Sequence, residues 1–187
     1  MNADGRGLNG LICVHLCLSA AEKEVSMDEN KLVKRLWRLM AERPATTAET
    51  VKLSQAAVEQ CPWSAELWYL RGMILDRCES LPEFKKEDYR RCYERAIECD
   101  PGFADAYVEL GYVLDTYYDD FTAAERAFRK AIALGSRGED VYVGLARVLA
   151  QQGRSPSALR LLRRVELGRP SDGIKSMIRE VQDGLWR

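Results

Sequence analysis

At 187 residues and 47% hydrophobic the chain is long enough for one continuous core, and its formal charge of −1 offers neither the basic excess of a nucleic-acid binder nor an acidic tail. A single histidine, His15, stands close to the N-terminus, which leaves no Ser/His/Asp or Cys/His arrangement to assemble. The six cysteines, Cys13, Cys17, Cys61, Cys78, Cys92 and Cys99, make no regular framework and mostly fall in predicted helices, so they read as reduced, buried thiols of a cytoplasmic protein.

Residues 1–26 form a leader around the apolar run LNGLICVHLCLSAA. A bilayer needs about 20 apolar residues, so the run is too short to span. Two readings are open. The leader is disordered, or an extension upstream of a true start at Met27; alternatively Arg6, the run and the small residues Ser19 and Ala21 make a signal peptide of residues 1–21 and the protein is exported. Cys13, His15 and Cys17 lack the fourth ligand of a structural zinc site.

Periodic sequence begins at Asp28. Leu32, Val33, Leu36, Trp37, Leu39 and Met40 share one helical face that ends before Pro44; Thr47 and Glu49 open a second helix through Val51, Leu53, Ala57 and Val58, which Pro62 closes. A third helix starts at Ala65 and a fourth ends before Pro101, with the segment CESLPEFKKED between them. The stretch from Ala104 to Ser136 holds two amphipathic helices, one on Tyr107, Leu110, Gly111 and Leu114, the next on Ala124, Phe128, Ala131 and Ile132. Small residues at Gly111, Ala124 and Ala131 let the two backbones approach, with bulk from Tyr107, Leu114 and Phe128. The pattern returns as Tyr142, Leu145, Ala146 and Leu149, then Ala158, Leu162 and Val165 before Pro170. Ser171 or Asp172 caps a last helix running to about Trp186, with Ile174, Met177, Ile178, Val181 and Leu185 on one face.

An aromatic, a Leu-Gly pair, a large residue, Ala, an aromatic and Ala, in that order, make this sequence resemble the tetratricopeptide repeat family. Tyr107, Leu110, Gly111, Leu114, Ala124, Phe128 and Ala131 carry the resemblance, and it recurs 35 residues on (142 − 107), against a family period of about 34. Upstream, Trp68, Gly72, Tyr93, Ala96 and Pro101 match. Arg71 replaces the usual Leu and Tyr89 the usual Ala, so either that helix pair splays or Tyr89 points off the contact; the longer spacing from Gly72 to Ala96 places a longer loop around Pro82. The resemblance implies an all-α fold, a right-handed α-solenoid of antiparallel helix pairs over residues 28–187. Residues 28–62 are a divergent repeat or cap, 65–101, 104–136 and 139–170 are clear repeats, and 172–186 is the capping helix.

In that family the first helix of each repeat lines a concave surface. The positions that face it are here Glu66, Tyr69, Leu70, Met73, Asp76 and Arg77; then Asp105, Val108, Glu109, Tyr112, Asp115 and Thr116; then Asp140, Val143, Gly144, Arg147, Ala150 and Gln151. The Lys, Asn and Arg clamp of the chaperone-binding members is missing. Six acids and two arginines interleave with apolar residues instead, which implies a groove for a basic or amphipathic segment of another protein, unless the acids only keep an open surface soluble. No phosphate-cradling Gly-rich loop, paired Cys-x-x-Cys motif or carboxylate constellation suggests an enzyme, a cofactor, a metal or a small-molecule substrate; Asp119 and Asp120 fit the start of a helix better than a metal. The expected function is a non-catalytic interaction scaffold or adaptor, or an assembly or escort factor should the leader export it. From Arg154 onward eight Lys or Arg face four Asp or Glu, so the basic end pairing with the acidic groove of a second copy is a route to self-association.

Overall fold

The computed structural model describes residues 20–42, 47–78 and 85–186. Among them run nine helices: α1 (Ala20–Glu42), α2 (Ala48–Gln60), α3 (Ala65–Asp76), α4 (Lys86–Cys99), α5 (Ala104–Tyr118), α6 (Phe121–Ala133), α7 (Glu139–Gln151), α8 (Ser155–Gly168) and α9 (Asp172–Gln182). Each packs on the next where short turns join antiparallel neighbours, and α1–α3, α5–α7 and α7–α9 also touch. The result is an all-α solenoid whose odd-numbered helices share one wall. Among the described residues no helix is long and apolar enough to cross a membrane.

Side-chain oxygens start several helices by taking an orphan amide of the first turn. Thr47 accepts from the Thr50 amide, Ser64 from Leu67, Asp120 from Ala123 at 2.9 Å and Ser171 from Ile174 at 3.1 Å. Asp120 is thus a cap, and Asp119, with φ 51°, ends α5 in the left-handed region.

Helix pairs nest through an aromatic ring set against a missing side chain. The Tyr93 ring is 1% exposed, and a Cβ on Gly72 would sit 2.6 Å from it. Phe128, fully buried, is used twice: a Cβ on Gly111 would lie 2.8 Å from its ring and one on Gly144 would lie 2.6 Å away. The expected close approach of α5 and α6 is therefore made at Gly111 by the Phe128 ring, which also reaches α7.

The two departures from the repeat pattern have physical reasons. Arg71 is buried and donates to the Ser54 hydroxyl at 3.1 Å, while that hydroxyl donates to the Val51 carbonyl at 2.8 Å. A polar lock between α2 and α3 stands where a Leu would pack. Tyr89 stacks edge-on against Tyr117 with centroids 5.6 Å apart; its ring turns to α5, and α3 and α4 stay nested.

Helix α1 begins at Ala20, upstream of the Asp28 boundary, so residues 20–26 are helical where a disordered leader was expected. Residues 1–19, with the signal outline and Cys13, His15 and Cys17, and the loop at Pro82 lie outside the described residues. The last helix is shorter than expected. It ends at Gln182, because Gly184 turns at φ 72° and the Leu185 amide returns to the Glu180 carbonyl at 3.1 Å. Leu185, expected on the apolar face, is 68% exposed, and Trp186 folds back onto the core instead.

Candidate functional site

The wall formed by α3, α5 and α7 carries the residues picked out as a groove, and it divides into two stretches. The first is centred on Glu109, on the middle turn of α5. Its carboxyl pKa is raised to about 7, first by burial and then by the neighbouring charges of Asp76 and Asp140, with Arg77 opposing them and Asp105 adding a smaller push. Three helices thus aim carboxylates at one place, with Arg77 as the cation among them. Asp76, Asp105 and Asp140 are exposed and Glu109 half-buried.

Aromatic residues frame this stretch. Tyr69 is buried, edge-on to Phe103 at 5.2 Å and tilted on Tyr93 at 6.1 Å. Tyr112 stands edge-on to Phe128 at 5.1 Å and donates its hydroxyl proton to the Asp140 carbonyl at 2.6 Å, bridging α5 to α7. Burial raises the pKa of the Tyr112 phenol to about 12, first of all causes, so it remains a donor at neutral pH. Tyr117 reaches Asp76 with its hydroxyl at 3.4 Å.

The second stretch is closed. Asp115 is 3% exposed and accepts from Arg147 Nε at 2.6 Å, the guanidinium also pairing with it through Nη2. The Arg147 guanidinium lies 5.4 Å from the centre of the Tyr112 ring and 5.8 Å from that of Trp186. Burial pushes the Asp115 carboxyl pKa up and Arg147 pulls it back. A charge so paired and covered is part of the packing.

Of the groove residues taken from the sequence, Asp76, Asp105, Glu109 and Asp140 come together, with Arg77 among them. Met73, Tyr112 and Val143 are half-buried beside them and present apolar surface. Four are corrected. Tyr69 at 7% and Val108 at 4% exposure are walls and not contacts, since each packs into the core between repeats. Asp115 and Arg147 consume one another. Glu66 stands apart from the cluster, bound by the Trp37 indole N–H at 3.0 Å. Among the secondary positions Leu70, Gly144 and Ala150 are buried. Trp37, Tyr117 and Trp186 were missed; Tyr117 stands in the last turn of α5 and Trp186 beyond the end of α9, where a repeat pattern gives no facing rule, although an aromatic at the end of a stack is itself a signal.

Comparison with known proteins adds the following. Two family models described as tetratricopeptide repeat match residues 92–125 and 119–173. Anaphase-promoting complex subunit 3 of Schizosaccharomyces pombe is 30% identical over 123 residues, which are 66% of this chain and 17% of that protein. Tetratricopeptide repeat protein 7B of Homo sapiens is 30% identical over 111 residues, 59% of this chain and 12% of that protein. The chain therefore spans a small fraction of the curated relatives it matches. Among solved structures, YrrB, described as a TPR protein with an unusual peptide-binding site, superposes with a TM-score of 0.60 at 16% identity over 90% of this chain and 93% of that one. A thermophilic TPR protein of Thermus thermophilus gives 0.61 at 17% identity over 89% and 86%. At those identities the likeness is one of fold.

Proposed function

The chain is a tetratricopeptide-repeat protein, of a class that mediates protein–protein interaction, and from that premise we propose that it is a non-catalytic scaffold. Its Glu109-centred stretch takes a basic, amphipathic segment of a partner protein. One observation carries the reading: burial and the charges of Asp76, Asp140 and Asp105, on three helices of one wall, oppose the ionisation of a half-buried Glu109. An ammonium or guanidinium brought against this cluster replaces like-charge repulsion by attraction, so the site is built to be completed by a cation. Met73, Tyr112 and Val143 give the partner's apolar side chains a surface beside it. The proposal includes a cytoplasmic home, supported by the free thiols of Cys61, Cys78 and Cys92, which are packed as apolar core.

Titration of a fluorescein-labelled Lys/Leu amphipathic peptide tests the site. Asp105→Lys and Asp140→Lys are suitable reversals, because both side chains are exposed. Each is expected to weaken binding about tenfold, and the effect to shrink as salt rises. Equal affinity for wild type and both variants overturns the reading.

A further inference from the structure

A second surface has the opposite charge. Between α6, α7 and α8 lies a cleft of about 590 Å³ whose rim carries Arg129, Arg137, Arg164 and Arg169 over a floor that includes Tyr142 and Leu161. Among the described residues no carboxylate lines it. Arg137 donates to the carbonyls of Ile132 and Ser136, both at 2.9 Å, and Arg169 donates to the Arg137 carbonyl at 2.7 Å. Backbone carbonyls hold these two guanidinium groups in place without cancelling their charge, and of the five N–H donors of a guanidinium each keeps those not spent on these carbonyls. Arg129 has a carboxylate partner, Glu125, which Arg154 shares.

The repeat supplies its own control. Displaced by 35 residues (142 − 107), Tyr142 and Leu145 correspond to Tyr107 and Leu110, which line the equivalent cleft of about 700 Å³ between α4, α5 and α6. There the rim is mixed: Glu94 occupies the place of Arg129, Arg90 is ion-paired with it at 2.8 Å, and Asp120 joins Arg126 and Lys130. The same packing thus tolerates a neutralised rim, and an all-arginine one is not a requirement of the fold.

We propose that the cleft between α6, α7 and α8 is a second docking surface, and that its occupant is an acidic, amphipathic segment of a partner protein. Carboxylates on the segment meet the guanidinium rim, and its apolar side chains cover the floor. A nucleic acid would use the rim but meet a single ring, Tyr142, among Ile132, Leu145, Leu161 and Val165, a floor that covers aliphatic side chains better than a run of stacked bases. With an acidic site around Glu109 and a basic cleft between α6, α7 and α8, the solenoid holds two partner segments of opposite charge at once.

The probe is a fluorescein-labelled helical peptide with Leu on one face and Glu on the flanks, measured by anisotropy beside the same peptide with Gln for every Glu. The Glu peptide is expected to bind and the Gln peptide to bind at least about tenfold more weakly. Arg164→Glu, an exposed residue in the rim, is expected to reduce Glu-peptide affinity about tenfold, with a thermal melt confirming the fold. Arg126→Glu, in the upstream cleft, is expected to leave it unchanged. Binding of the Lys/Leu peptide to the same Arg164→Glu protein, expected to match wild type, separates failure here from failure of the inner site. Absence of Glu-peptide binding, equal binding of the Gln peptide, equal loss in Arg126→Glu, or displacement of the peptide by a single-stranded RNA oligonucleotide each overturns the proposal.

Discussion

The two stretches of the inner wall start from the same material and end in opposite states. Glu109 and Asp115 lie on one helix, both lose water, and both have carboxyl pKa values pushed upward by burial. Asp115 has Arg147 from the next repeat against it and two aromatic rings over that guanidinium. Glu109 faces Asp76, Asp105 and Asp140 with Arg77 as the cation among them. The difference teaches that an acid count does not make an acidic groove. A carboxylate whose counter-charge is built in belongs to the packing, and one whose neighbours share its sign is left for a partner to complete.

The comparison depends on a frame common to both stretches, and removing that frame is the largest perturbation. Phe128 fills the space left by Gly111 and Gly144 and carries Tyr112 on its edge. Phe128→Ala is expected to cost about 3–5 kcal/mol, read by urea denaturation, and to abolish binding of the basic peptide. Next in size is breaking the closed stretch. Asp115→Asn leaves Arg147 without its anion and is expected to cost roughly 2–3 kcal/mol, at the low end for a broken buried pair because Arg147 is partly exposed. The same variant frees a cation on the wall and is expected to weaken the basic peptide too. A stability unchanged by Asp115→Asn would mean that the pair is mere surface chemistry, and the contrast with Glu109 would collapse.

Much of the frame was legible in the sequence, because Gly72, Tyr93, Gly111, Phe128, Ala131 and Ala146 recur at helical spacing within a repeat interval, and a packed interface needs small and large side chains at fixed steps. Which acid meets which base was not. Asp115 and Arg147 belong to successive repeats, and the list of inward positions gave the six acids equal weight; only the packing shows that one is spent. The start of α1 escaped for a different reason. AAEKEVSMDENK is rich in helix formers but has no apolar stripe, so periodicity alone began the domain at Asp28. At the other end the left-handed turn at Gly184 decides that Trp186 and not Leu185 is covered, and a 3.6-residue pattern carried past it assigns the wrong residue.

Glu109→Gln sharpens the open side of the comparison. The Glu109 carboxyl has its usual value of 4.5 in the unfolded chain and about 7 when folded, so between these the folded state holds the proton more tightly. Its contribution to stability is fully present below the unfolded value and is lost as pH rises through about 7. The glutamine variant is expected to be more stable than wild type by about 1–2 kcal/mol at pH 8 and to lose that advantage by pH 5, read from denaturation midpoints across the range. Basic-peptide affinity is expected to increase from pH 6 to pH 8 in wild type, since a bound cation favours the ionised form, and to be flat in the variant. A wild-type affinity that falls over that interval would show that the cluster is not where the cation sits.

The smallest effect concerns the cover of the closed stretch. Trp186 lies over the Arg147 guanidinium and donates its indole N–H to Glu180 at 3.3 Å, so it joins the C-terminal turn to a charge on α7. Trp186→Leu keeps apolar bulk on the core and removes the π face; it is expected to cost about 0.5–1 kcal/mol. In an Asp115→Asn background the ring becomes the main stabiliser of the orphaned guanidinium, so the same substitution is expected to cost more there than in wild type. A double-mutant cycle measures that coupling directly. Strict additivity would mean that ring and carboxylate act on Arg147 independently, and the second stretch would then be a salt bridge beside a packed tryptophan, with no cover over the charge.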